Sequence, residues 1–438
     1  MTVDLDARPL AGRKLLLLDG SRKSIEIVDE AHRLGVHVIV TDYNTPEQSP
    51  AKLAADQHFD VSTSDVDAVV DLIRREEVDG VLAGFSDRWL ATYAEICAAA
   101  QVPCYATVDQ IRLFTDKKRY KAMLEQFGVP TITGYSVEDA TSGAIPDEAF
   151  PLIVKPADGS GSRGISVVAS QSELQNGLDV ALNYSWTQDL VIERFLPGQE
   201  ATVYWVFQDG DCRVSLMWHR HMHDFGPQDR YRLPVAYSSP SSLLPTYLAD
   251  VAPSVQAMMR SAGVRNGIMF MQGLIHEGVF HTYDIGYRVT PTQEYRVVEE
   301  LCGYNPLSML IHFALTGTMG EPDLAAVAEP RHPGYGFNVS TLIRPGTVGA
   351  VTGLDDVAAL PGILSTVAAI DAGETLPEEG WGQLRQVAVR TVGVADSLDA
   401  LRRTMRRVDE LIDVRDVDGA SMVIHPDMPP QDLDACVL

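Results

Sequence analysis

The chain reads as α/β in its first third and α+β beyond it, and three features carry that reading. Between residues 13 and 105, apolar runs of strand length alternate with helical stretches, the rhythm of an open parallel sheet. From Leu152 to Gly164 the sequence LIVKPADGSGSRG places a short apolar run, a lysine and a glycine-rich turn in succession, and Ile165 to Ala169 is apolar again. From Glu200 to Ile285, strand candidates are separated by Gly210 and by His276-Glu277-Gly278, which read as hairpin turns between antiparallel strands.

Composition narrows the function classes. A chain of 438 residues exceeds one simple core, so two to four structural units are expected. With 45% hydrophobic and 22% charged residues, disorder over most of the chain is excluded. No apolar run approaches the roughly 18 to 20 residues of a membrane span, and MTVDLDARPLAGRK lacks the apolar stretch of a signal peptide. The expected location is the cytoplasm. The net charge of −25 disfavours general binding to nucleic acid or anionic membrane. It leaves nucleotide binding open, given local basic groups and a divalent cation. Cys97, Cys104, Cys212, Cys302 and Cys436 make no CxxC and are odd in number, which reads as free thiols rather than a disulfide framework.

Taken in order, residues 13 to 19 open the parallel sheet. A helix follows over Ser24 to Leu34, ended by Gly35, and Val36 to Thr41 is the second strand. GxGxxG is missing after the first strand, so Asp42 reads as a strand-end residue or a contact to a non-nucleotide substrate. Val69 to Glu77 and Trp89 to Ala100 are helical, and Val78 to Ala83 and Val102 to Tyr105 are strands. Phe114 to Phe127 is one helix, capped by Thr115 or Asp116 and closed by Gly128. Of its basic first turn, Lys118 and Arg119 read as a solvated face. Residues 135 to 150 are turn-rich, Ser172 to Leu182 is helical, and Leu190 to Glu193 and Glu200 to Phe207 are strands.

His219, His221 and His223 recur at period two, which puts them on one face of a strand. A row is not a tetrahedron, so zinc is disfavoured, and a polar face near a substrate is preferred. Arg230, Tyr231 and Arg232 follow and could recognise a carboxylate. Leu248 to Ala262 is helical with Pro253 in its first turn or at a kink. Asn266 to Ile275 and Val279 to Ile285 form a hairpin, and Pro306 to Leu315 is a helix ended by Gly317. Beyond the proline-rich stretch 318–340 the chain changes style. Ser340 to Val351 reads as strand and turn, a strand pair lies around Val367 to Thr375, and Ser397 to Ile412 is an amphipathic helix. The tail around Pro426, Pro429 and Pro430 is expected outside the core.

On its own residues, the Lys155 hairpin is equally an ordinary mobile turn and a phosphate lid, because glycines let backbone N–H groups approach oxygen and a lysine adds charge. Beside it stand Lys117, the pair Glu193 and Glu200 around Leu196-Pro197-Gly198, and two strands carrying Gln272 and Asp284. Taken together these residues resemble the ATP-grasp superfamily of ligases, above all the synthetase halves of carbamoyl-phosphate synthase and the L-amino-acid ligases.

The resemblance covers essentially the whole chain. It implies an N-terminal open parallel-sheet (pre-ATP-grasp) domain over 1–112, an ATP-grasp domain over 113–329 with its lid about 146–195, and a β-rich appendage over 330–438. It implies ATP with Mg2+ or Mn2+. Lys117 and Lys155 would meet the phosphates and the adenine, and Ser160, Gly161, Ser162 and Gly164 would form the lid. Glu193 and Phe195 would face the base, and Glu200 the ribose hydroxyls. Gln272 and Asp284 would hold metal. Arg288, with Lys155, would act in catalysis by neutralising the transferring phosphoryl group.

Two positions depart from the family pattern. Asp284 stands where Glu is usual, and Gly286 where Asn is usual. The activity implied is a carboxylate–amine ligation through an acyl phosphate, on an amino-acid or peptide-like substrate, releasing ADP and phosphate. The partners implied are a small carboxylate and an amine, and a homodimer is admitted. Against it stand an ATP-binding protein without ligase activity and, more weakly, a biotin-carboxylase-like enzyme, whose Asn-Arg-Gln-Val-Glu-His pattern is missing after Asp284.

Overall fold

Leu15, Leu16 and Leu17 have no exposed surface, and such a run is buried only when both faces of its strand are covered. The strand Lys14–Leu17 lies inside a four-stranded parallel sheet, between His37–Thr41 and Gly80–Leu82, with Gln57–Phe59 at one edge. The helices Ile25–Arg33 and Val66–Glu76 connect strands of this sheet, and Leu90–Ala100 follows its last strand. The computed structural model describes residues 10–157, 164–225, 232–320, 323–426 and 428–437.

Val102 to Tyr105 does not join this sheet. The preceding helix ends on Gln101 at φ 59, Val102 N–H bonds back to Cys97 O, and Pro103 has no N–H to offer a ladder. The edge strand Gln57–Phe59 and the helix Pro50–Ala54 were not anticipated, being too short to show a period. Asp42 is a strand-end residue. Its carboxylate accepts from Ser49 Oγ at 2.5 Å and Gly20 N at 3.2 Å and lies 3.0 Å from the buried Lys52 ammonium.

The expected single helix over Phe114 to Phe127 is two, Val108–Thr115 and Lys117–Gln126, parted by extended Asp116. The turn-rich 135–150 contains a helix, Val137–Ser142, opened by a capping box between Ser136 and Asp139. A small sheet then joins Leu152–Pro156 to Ser166–Val168 on one side and Leu190–Arg194 on the other. Helix Gln171–Tyr184 covers it, and Leu152, Val154, Leu174, Leu178 and Ile192 give it a core of its own.

The large sheet has nine antiparallel strands. In space the order runs Val279–Gly286, Gly267–His276, Gln199–Gln208, Asp211–Asp224, Arg232–Ser239, Tyr335–Ile343, Val387–Ala395, Ile363–Ala368, with Val423–Ile424 also on Tyr335–Ile343. It shares one core with the parallel-sheet unit, in which Leu16, Tyr93, Trp205 and Phe207 are buried together. Pro253 falls in the first turn of helix Ala252–Ser261, and the chain before it, Tyr247–Val251, winds as a π-turn. Helix Glu294–Cys302 was missed.

Two expectations for the C-terminal part are corrected. Residues 367 to 375 hold no strand pair: Ile363–Ala368 pairs with Val387–Ala395, and Thr375–Leu376 with Gly346–Thr352. The tail enters the core, with Leu433, Cys436 and Val437 buried, because Leu433 joins Phe337, Leu401 and Met405 in one cluster.

Candidate functional site

Asp116 starts the helix Lys117–Gln126 by accepting from Lys118 N at 2.9 Å and Arg119 N at 3.2 Å. Lys117, Tyr120 and Lys121 then share one helical face. Lys121 Nζ lies 2.8 Å from Glu193 Oε1, and Lys155 Nζ lies 2.7 Å from Glu193 Oε2. One buried carboxylate thus holds two ammonium groups. Burial pushes the Glu193 carboxyl up, Lys155 and Lys121 more than offset it, and the group ends below its ordinary range. Lys118 and Arg119 pair with Asp189 and Asp116 at the surface, as a solvated face should.

The same helix reaches the metal candidate. Tyr120 OH donates to Asp284 Oδ1 at 3.2 Å and to Tyr283 O at 3.0 Å, and Lys117 Nζ stands 3.8 Å from Asp284 Oδ1. Asp284 sits opposite Gln272, which sits opposite Thr202, so these three share a sheet face. Glu200, two residues before Thr202, lies opposite Arg220 on that face.

A bulge adds Tyr283. The register runs Gln272 to Asp284 and Gly273 to Thr282, which leaves Tyr283 as an extra residue beside Asp284. Its ring lies 5.6 Å from Lys155 Nζ, and its hydroxyl donates to Glu200 Oε2 at 2.9 Å. Arg220 Nη1 donates to the same Oε2 at 2.5 Å and to the Tyr283 hydroxyl at 2.7 Å. Lys155, Tyr283, Glu200 and Arg220 therefore form one continuous chain across the face.

Arg288 is held apart. It makes a bidentate pair with Asp87 on the parallel-sheet unit, Nε to Oδ1 and Nη2 to Oδ2 both at 2.6 Å, and its Nη1 donates to Val289 O at 3.0 Å. Its guanidinium carbon lies 5.1 Å from the Phe270 ring centroid. Near it, Lys23 stays accessible on the turn Arg22–Ser24, yet the ammonium stands amid dense protein. Burial, Arg390 and then Arg288 lower its pKa. Arg390 Nη1 donates to Pro291 O at 3.2 Å. Lys23, Arg288 and Arg390 thus stand close enough to act on one another's charge.

Other candidates stand as follows. Gly164 has φ +72, and a Cβ there would come within 2.7 Å of Tyr184, so only glycine fits the end of the hairpin turn. Phe195 N–H donates to Pro151 O at 2.8 Å. Ser160, Gly161, Ser162, Arg230 and Tyr231 lie outside the described residues. The histidines do not face the site. They alternate with Arg220, so they point to the back of the sheet, where His219 meets Ser241 Oγ and His221 meets Ser238 Oγ, each at 2.8 Å.

Lys121, Tyr120, Tyr283, Arg220 and Asp87 were missed. Lys121 was visible as the residue four beyond Lys117, and Arg220 as the one out of phase with the histidines. No local pattern marks Tyr283 or Asp87. The donor set of Asp284 and Gln272, a carboxylate and an amide oxygen on one face, fits a magnesium ion that also takes phosphate and water oxygens.

Comparison with known proteins bears on the fold. The family model described as the D-ala D-ala ligase C-terminus matches residues 125–265. The carbamoyl phosphate synthase large chain of Thermomicrobium roseum is 23% identical over 323 residues, 71% of this chain and 29% of that one. That of Clostridium perfringens is 22% identical over 323 residues, 70% of this chain and 29% of the other. The chain thus spans under a third of the length of these relatives. Among solved structures, an L-amino acid ligase from Bacillus licheniformis superposes with TM-score 0.73 at 17% identity, over 95% of this chain and 100% of that one. The biotin carboxylase domain of the Hydrogenobacter thermophilus 2-oxoglutarate carboxylase, in complex with MgADP and bicarbonate, gives TM-score 0.75 at 18% identity, over 94% and 91% of the two chains. At such identities the likeness shows the fold. The chain thus has the ATP-grasp fold, and its residues 125–265 match the D-ala D-ala ligase C-terminus.

Proposed function

We propose that this chain is an ATP-dependent carboxylate–amine ligase, forming ADP through an acyl phosphate on an amino-acid or peptide-like substrate. The observation that carries the reading is Glu193 held between Lys121 and Lys155, next to the Gln272–Asp284 pair on one sheet face. Two ammonium groups converge where a polyphosphate needs countercharge, and oxygen donors stand beside them. No helix among the described residues is long and apolar enough to cross a membrane.

Carboxylates are poor electrophiles. In the proposed reaction a carboxylate oxygen attacks the γ-phosphorus of ATP and ADP leaves; an amine nitrogen then attacks the acyl carbon and phosphate leaves. Lys155 and Lys117 balance the phosphate charge, and Lys121 shares the charge of Glu193 so that Lys155 is not fully committed to it. Glu200, with one oxygen turned to Arg220 and Tyr283, keeps the other for the ribose. Arg288, Lys23 and Arg390 gather positive charge where an anionic substrate or acyl phosphate would lie. Magnesium, held by Asp284 and Gln272, would draw charge from the phosphate oxygens. The same reading divides the chain at 112 and 329, with the large sheet running across the second division through Arg232–Ser239 and Tyr335–Ile343. A cytoplasmic location and a homodimer belong to this proposal as well.

The test is incubation with ATP, magnesium and pairs of amino acids, reading ADP, phosphate and, with hydroxylamine added, the hydroxamate of the activated acid. Protein that binds ATP yet releases no phosphate with any pair would overturn the ligase reading. That outcome would favour an ATP-binding protein without turnover. The observation on its side is that Gly286, where the family offers Asn, has no room for a side chain. Bicarbonate-dependent phosphate release would favour the carboxylating alternative instead.

A further inference from the structure

The back of the large sheet carries a second constellation, remote in role from the lysines and carboxylates above. The short helix Leu433–Cys436 lies against the strand Arg232–Ser239, preceded by Asp432. Asp432 and Cys436 stand four positions apart, so both point to one side. There they meet His221. Its Nδ1 is 2.7 Å from Asp432 Oδ1, and its Nε2 is 2.8 Å from Ser238 Oγ. The donor atoms of His221, Asp432 and Cys436 all lie within 4.8 Å of one another, and His221 and Cys436 are buried. The Gln199 amide donates to Asp432 Oδ2 at 2.7 Å and also to Cys436 Sγ.

We infer that His221, Asp432 and Cys436 form a binding site for a zinc-class divalent cation that fastens the C-terminal segment to the large sheet. The donor set decides the class. A thiolate, an imidazole and a carboxylate suit zinc, whereas magnesium and calcium take oxygen donors alone. Without metal the ring donates Nδ1–H to Asp432 and accepts from Ser238 Oγ at Nε2; in the other tautomer Nε2–H donates to Ser238 Oγ and the Nδ1 lone pair faces the other two ligands, the arrangement found behind metal-bound histidines. Water completes four-coordination. The row of three histidines supplies one ligand, and the other two come from a tail 211 residues further on.

Chemistry at the thiol follows from its surroundings. Without metal the buried thiol is protonated, as an ordinary cysteine is at neutral pH. Binding the cation forms a metal–sulfur bond and releases that proton to solvent. No electron is transferred.

The test uses the full chain, stripped by chelator and equilibrated with Zn2+ alone, then with Co2+ as a spectroscopic probe. Wild type is expected to retain about one more Zn2+ per chain than the D432N/C436S double variant. Its Co2+ form should show a near-ultraviolet thiolate-to-metal band. C436S should lose that band, and D432N, which alters an exposed side chain, should weaken Zn2+ binding by about tenfold or more. Zn2+ should raise the Tm of wild type and not that of the double variant. Equal Zn2+ retention by wild type and double variant, or a Co2+ thiolate band that survives in C436S, would overturn the inference.

Discussion

Phe270 occupies the space that a side chain at position 286 would need. A Cβ on Gly286 would stand 2.2 Å from Phe270 Cε1, across the strand pair that also sets Gln272 against Asp284. The departure from Asn at this position is therefore a packing choice, coupled to an aromatic ring that also lies under Arg288.

It follows that restoring the family residue by itself will fail. G286N should lower stability by about 1 to 3 kcal/mol through overpacking and should leave phosphate release no higher than in wild type. A thermal melt and an ADP-release assay check both parts. An undiminished Tm would mean that Phe270 swings away freely.

Lys155 and Lys121 divide the charge of Glu193 between them, which separates folding from turnover. K155A should lose about a hundredfold or more in ATP turnover, on the scale of losing a preorganised charge in the reacting region. Lys121 should keep the buried carboxylate paired, so the fold survives. Circular dichroism with a coupled ADP assay reads both. Turnover near wild type in K155A would remove this lysine from the phosphate site.

Arg288 has a structural partner and a proposed catalytic one. D87N strands a buried guanidinium and should cost about 3 kcal/mol. R288M should abolish ligation. In D87N/R288M the two stability losses should fall short of their sum, because the residues interact directly, while ligation stays lost. A double variant that ligates would assign Arg288 to structure alone.

Glu294 predicts a pH effect with a definite sign. Burial raises its pKa from 4.5 to about 7, against the Thr290 and Thr292 hydroxyls that donate to Oε2 at 2.5 and 2.8 Å. A folded-state pKa above the unfolded one means stability that is fully present below 4.5 and lost as pH rises through 7. E294Q should remove that loss and be the more stable protein at pH 8, by up to about 3 kcal/mol. His219 acts oppositely. Burial holds it near 4 instead of 6.5, so its contribution is present above 6.5 and lost as pH falls toward 4. Denaturant melts of wild type and E294Q at matched pH isolate the Glu294 part. Parallel curves for the two proteins would refute it.

Local chemistry was enough for part of this protein. Strand and helix alternation gave the parallel sheet, because buried apolar runs and glycine stops are written in neighbouring residues. Gly210 and Glu277-Gly278 marked hairpins for the same reason. Lys117, Lys155, Glu193, Gln272 and Asp284 stood out through the resemblance to ATP-grasp ligases, and the fold brings them to one region.

What only the tertiary structure decided depends on pairing between distant segments. One extra residue in a strand register turns Tyr283 toward Glu200, and no sequence period records a bulge. Asp87 meets Arg288 across 201 positions, and the buried tail brings Asp432 and Cys436 to His221. The sequence determined which elements form, since propensity and patterning act within a few residues. The three-dimensional chain determined which charges meet, since a carboxylate's partner is set by the packing of whole elements and not by its neighbours.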